Sequence, residues 1–209
     1  MADRFAGYDV LAGRDGMGWN AKTRKVIDAR LALQVPDGAL SETRLATLRA
    51  VVGRLCPDPP GRPATTTLAM VVHKISADSP EGQRHHRLPG TRECWERGLD
   101  ALEAEARARY GVAFAVLGGE DADIVLRAVS EGDVRAVEWG DLPPKLFWTW
   151  RLLPDCVAAH WAQPSLWSAM GFGGPAAPRG YVRTGIDRRD PWEAVEAGEP
   201  LKGLPRHRG

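Results

Sequence analysis

Apolar residues recur at intervals of three and four along most of the first 160 positions, the spacing of one face of a helix. Val26, Ile27, Leu31 and Leu33 approximate such a face between Ala21 and Leu33, before Pro36-Asp37-Gly38 breaks the chain. Ser41 is a good N-cap for a second helix whose stripe is Leu45, Leu48, Val51, Val52 and Leu55. Cys56-Pro57-Asp58-Pro59-Pro60-Gly61 ends it, because proline cannot continue the hydrogen-bond ladder. Thr67 to Ile75 is apolar on all sides and is expected to be buried, with His73 as a core histidine. Thr91 is placed to cap a long amphipathic helix to Tyr110, carrying Trp95, Leu99, Leu102 and Ala106 inward and stopped at Gly111. Asp121 or Asp123 opens a further helix ended by Gly132. Asp141, followed by Pro143 and Pro144, begins the last long helix, which runs to about Trp161 with proline tolerated in its first turn.

Period-two runs and Asn-Gly turns are missing from the sequence, so the pattern predicts an all-α fold. The expected architecture is an irregular bundle of five to seven helices with extended arms at both ends. The arms are residues 1–20, rich in glycine, aspartate and aromatics, and residues 163–209, rich in glycine and proline; the helical domain is 21–162. A polar, proline-bearing tail rarely buries enough surface to fold by itself, so the second arm is expected to lie along the helices or along another protein.

Composition narrows the function. Eight tryptophans in 209 residues suit a packed chain with a partner surface, since tryptophan and arginine are enriched at binding hot spots. A net charge of +1 offers no field for collecting nucleic acid. Cys56, Cys94 and Cys156 are an odd, scattered set, which argues against a disulfide framework or a cysteine zinc site and suits a reducing compartment. The first residues show neither the apolar core of a signal peptide nor a twin arginine, and no run approaches the roughly 18 apolar residues of a membrane span. The expectation is a cytoplasmic protein without a membrane span.

Candidate chemistry is sparse. His85-His86 are adjacent, and neighbours on an extended chain point apart; no histidine pair stands four residues apart on a helix. No G-x-S-x-G elbow surrounds Ser165 or Ser168, and Gly118-Gly119 and the glycines at 171–174 lack the strand and spacing of a dinucleotide loop. Glu93, Glu96, Glu103 and Glu105 interleave with Arg92, Arg97, Arg107 and Arg109, the pattern of a solvated face laced with ion pairs. The expected catalytic, metal and cofactor residues are therefore none.

The distinctive feature is the segment from Gln163 onward. Pro164 to Gly171 reads as one or two helical turns stopped by glycine, with Trp167 inside them. Gly171, Phe172, Gly173, Gly174 and Pro175 follow. Pro178 then stiffens a strip presenting Arg179, Gly180, Tyr181 and Arg183, with Trp192 further on. Such a strip loses little entropy on docking, whether onto a partner or onto this chain's own helices.

These residues closely resemble the carboxy-terminal motif of the gluconate 2-dehydrogenase subunit 3 family: Ala162 to Trp167, the Gly171-Phe-Gly-Gly-Pro175 step and Pro178-Arg-Gly-Tyr-Val-Arg183. Asp187-Arg-Arg-Asp-Pro-Trp192 is similar to an extension in actinobacterial-type members, and Leu88 to Leu99 resembles the family's middle helix. The resemblance implies a non-catalytic small subunit that binds and stabilises a large FAD-containing oxidoreductase of the glucose-methanol-choline type, with FAD and sugar or polyol oxidation in the partner. It implies a hetero-oligomer that a cytochrome can complete. Partner-binding residues are then Trp167, Gly171, Phe172, Gly173, Gly174, Pro175, Pro178, Arg179, Gly180, Tyr181, Arg183 and Trp192. Two other readings stay open: a helical adaptor or assembly chaperone for an unrelated partner, and a metal-dependent enzyme using His85, His86 or His160.

Overall fold

The computed structural model describes residues 3–78, 85–176 and 194–195. Among these residues all regular structure is helical, so the all-α expectation holds. The α-helices are α1 (Ala21–Leu31), α2 (Glu42–Leu55), α3 (Thr67–Ala77), α4 (Thr91–Tyr110), α5 (Gly119–Glu131), α6 (Pro144–Phe147), α7 (Leu153–Trp161) and α8 (Pro164–Met170). A π-helical turn, Trp148–Leu152, joins α6 to α7. Counting that continuous stretch once gives seven helices among the described residues. The chain divides into two compact units, one of 1–32, 58–65 and 161–209 and one of 33–57 and 66–160.

The larger unit is organised on α4. Trp95, Leu99, Leu102 and Ala106 are fully buried along one side of it, and Leu48, Val51 and Val52 of α2 with Val125, Leu126 and Val129 of α5 complete the core. Each buried leucine or valine among them contributes about 1.5–3 kcal/mol by leaving water. Gly98 is a packing requirement: a Cβ there would lie 2.3 Å from the Phe147 ring. That ring meets Trp95 edge to face at 5.7 Å. Gly111 and Gly132 close α4 and α5 at φ +74°, the left-handed stop that glycine adopts without steric cost.

The π turn follows from Pro154. A regular helix would use the N–H of residue 154 to bond the Trp150 carbonyl, and proline has none. Leu153 N–H donates instead to Trp148 O, one residue further back, and the Arg151 guanidinium donates to the Trp150 carbonyl at 3.1 Å.

Several expectations are corrected here. The N-cap of α4 is Gly90 rather than Thr91, which is the buried first residue; the side chain of Asp78, just past α3, accepts the Arg92 N–H at 3.0 Å and serves as a cap. The first residue of α5 is Gly119, so Asp121 sits inside the first turn and opens nothing. The helix α3 is not buried all round: His73 is exposed, with Nε2 3.0 Å from the Gln34 carbonyl, while Val71, Val72 and Ile75 face the core. Glu103 and Glu105 are buried, not solvated. Glu103 accepts from Thr47 Oγ1 and from Phe114 N–H, and Glu105 holds the turn at Arg135 and Ala136. Spacing signalled their arginine partners four residues on, but burial depends on loops distant in sequence.

In the smaller unit Val10, Trp19, Ile27 and Trp167 bury one another, with Tyr8 and Leu11 against them. The Asn20 side chain caps α1 by accepting from Thr23 N–H at 2.8 Å. The amino-terminal segment thus contributes Val10 and Trp19 to a small core. Arg30 ties the end of α1 to the Ala162 carbonyl at 2.8 Å.

Candidate docking site

The glycine-containing motif begins with α8. Proline at the first helical position needs no N–H bond, and Gly171 ends the helix at φ +72°, with Phe172 N–H donating to Trp167 O at 2.8 Å. This closure turns Phe172 back onto Trp167, where the two rings meet edge to face at 5.8 Å. The Trp167 indole is buried and donates to the Trp161 carbonyl at 2.7 Å. Ser168, also buried, accepts the Val10 N–H at 3.1 Å and donates to Pro164 O at 3.0 Å.

Two of the three glycines are required by close approach. A Cβ on Gly171 would stand 2.6–2.8 Å from the Phe5 ring, and one on Gly174 would stand 2.6 Å from Val10 Cγ2 and 3.3 Å from Trp19. Gly174 also has φ +73°. Gly173 meets nothing within 4 Å, and Pro175 offers its carbonyl toward Gly18. The motif therefore has two sides. Trp167, Gly171 and Gly174 face the amino-terminal segment of their own unit, whereas Phe172 is 39 % exposed, Met170 49 % and Trp161 50 %. Trp161 and Phe172 each contact Trp167, the first through its carbonyl and the second ring to ring, and Met170 is the last residue of α8. Trp161 and Met170 were not singled out by sequence; exposure of apolar residues beside a buried tryptophan is a tertiary property. Pro178, Arg179, Gly180, Tyr181, Arg183 and Trp192 lie outside the described residues.

Other candidates are engaged structurally. His85 and His86 stack on each other at 4.7 Å, and His85 lies 5.6 Å from the Trp150 ring, so the two imidazoles face each other rather than a shared ligand. His160 is buried, with Nδ1 3.1 Å from the Thr67 hydroxyl. Among the described residues no group of three histidine, cysteine or acidic side chains could hold a metal ion. Asp155 is buried, with one oxygen 2.6 Å from Lys74 Nζ and the other 2.9 Å from the Trp95 indole nitrogen. The three cysteines are free and buried; burial raises all three thiols, that of Cys94 to about 11, which opposes the thiolate a nucleophile needs. No described helix is long and apolar enough to cross a membrane.

A model of the gluconate 2-dehydrogenase subunit 3 family matches residues 42–174, well over half of the chain and ending on Gly174. The chain belongs to that family, whose members are subunits of a dehydrogenase complex. Neither the curated proteins nor the solved structures give a match.

Proposed function

We propose that this chain is the non-catalytic small subunit of a dehydrogenase complex, binding and stabilising a large FAD-containing partner of the glucose-methanol-choline type that oxidises a sugar or polyol. The observation that carries the reading is the two-sided motif. Gly171, Gly174 and Trp167 fix it to the fold, while Phe172, Met170 and Trp161 stay exposed. Exposed aromatics on a rigid backbone lose little entropy on association, and desolvating such anchors is the common source of interface energy. The cofactor and the reacting groups belong to the partner in this reading. The reading includes a cytoplasmic location, which three buried, unbridged cysteines support, since free thiols suit a reducing compartment.

Co-expression with the flavoprotein of the same host, followed by purification on a tag carried by this chain, tests the proposal. The native chain is expected to bring down the flavoprotein in fixed ratio with its yellow cofactor. Phe172→Glu with Met170→Glu is expected to reduce recovery at least tenfold, about 1.4 kcal/mol, while Val116→Glu, an exposed position elsewhere, leaves it unchanged. A helical circular dichroism spectrum equal to that of the native chain shows that the variant folds. Equal recovery by all three proteins would overturn the docking face, and no recovery by the native chain would overturn the partner.

A further inference from the structure

The amino-terminal segment is held in two different ways. From Val10 onward it is anchored by burial: Val10 is 2 % exposed and Trp19 5 %. Residues 3–9 contain no buried position. What fixes them is largely polar, and a single side chain supplies three of the bonds. Arg62, on the segment between α2 and α3, donates to the Asp3 carboxylate at 2.7 Å, to the Phe5 carbonyl at 2.6 Å and to the Tyr8 carbonyl at 2.5 Å. A planar guanidinium can satisfy three acceptors at once in a fixed geometry, which an ammonium cannot. Gathering a carboxylate and two main-chain oxygens from the six residues Asp3 to Tyr8 makes Arg62 a clasp.

The clasped residues lie on the motif. The Phe5 ring occupies the space that a Cβ on Gly171 would need, and Tyr8 Oη donates to the Phe172 carbonyl at 3.4 Å. Lifting residues 3–9 would uncover the left-handed turn at Gly171 and the main chain of Phe172, whereas Val10, Trp19 and Trp167 would stay packed.

We infer that residues 3–9 form a strap, fastened by Arg62 and hinged at Val10, whose opening uncovers the Gly171–Phe172 turn without unfolding the core behind it. The strap opens as a local unit because none of its own residues is buried and one side chain, Arg62, supplies three of its bonds, and its hinge is the point where burial begins. It controls access to the main chain of the motif, and this inference does not depend on which partner binds there.

Native-state hydrogen exchange of the full chain, read by mass spectrometry, tests the clasp. In Arg62→Ala, peptides covering residues 3–9 and 171–173 are expected to exchange at least tenfold faster than in the native chain, and peptides from α4 and α5 at the native rate. Arg62→Lys is expected to behave as Arg62→Ala. Asp3→Asn, which leaves Arg62 and its two carbonyl bonds in place, is expected to give a smaller rise in the same peptides. Unchanged exchange at 3–9 in Arg62→Ala would overturn the strap, and so would a rise spread evenly through α4 and α5. Should Arg62→Ala fail to fold, Asp3→Asn decides by the same two criteria.

Discussion

Glu105 has no exposed surface, yet its carboxylate accepts the main-chain N–H groups of Arg135 and Ala136 at 2.8 and 2.9 Å and the Arg109 guanidinium at 2.6 Å. Burial alone would raise its pKa; the two N–H donors and Arg109 outweigh that and hold it below the ordinary 4.5. A depressed carboxylate contributes stability that is complete above the unfolded value and is lost as pH falls through the native one. Glu105→Gln is therefore expected to cost about 3 kcal/mol near pH 7, because a buried cation and two N–H groups lose their ionic acceptor. It is also expected to flatten the acid limb of stability below pH 4.5. Thermal unfolding from pH 7 downward, native against variant, checks both. In the sequence this residue is one glutamate among several on a helix. The arginine four residues on was legible, but the turn it holds lies thirty residues away.

Among the elements, α4 shows how a boundary can be misplaced while the element itself is legible. Threonine before an apolar run is a standard helix start, yet Gly90 occupies the cap position and Thr91 is turned inward. The missing cap comes from Asp78, which sits at φ +40° after α3 and accepts the Arg92 N–H. Aspartate tolerates the left-handed region better than most residues, and its side chain is there to reach a neighbouring helix. Asp78→Ala is expected to lower stability by about 1–2 kcal/mol, through the lost cap and the less tolerant side chain at positive φ. Asp78→Asn is expected to retain most of it; urea unfolding midpoints distinguish the two. The stretch from Pro144 to Trp161 was readable as one helix, since periodicity and the leading prolines mark it. Its π turn was not, although Pro154 is the physical cause, because an interior proline is equally compatible with a kink or a break.

For the whole molecule, burial of every cysteine ties thiol chemistry to unfolding. Cys56 is 4 % exposed, and Cys94 and Cys156 have no exposed surface. With the Cys94 thiol near 11, roughly one group in ten thousand is ionised at pH 7. A thiol-reactive dye is expected to leave the native chain unlabelled over minutes and to label three groups in denaturant, with labelling in intermediate denaturant following the loss of helicity. Fast labelling of any cysteine in the native protein would show that the core opens locally. Family membership was also legible at this scale, since the carboxy-terminal motif is specific in sequence and the family match confirms it.

The sequence by itself determined the helical class, the places of most helices, the glycine stops and the family, because each is written in local spacing or in a contiguous motif. Tertiary structure alone decided which side of the motif is packed. Gly171 and Gly174 are glycines because Phe5, Val10 and Trp19 arrive from the other end of the chain, and Phe172 is exposed because Trp167 is not. The same holds for Arg62, one arginine among many until three acceptors more than fifty positions away meet it. Local sequence sets what each backbone segment prefers; which side chains meet across long separations depends on the packing of the folded chain.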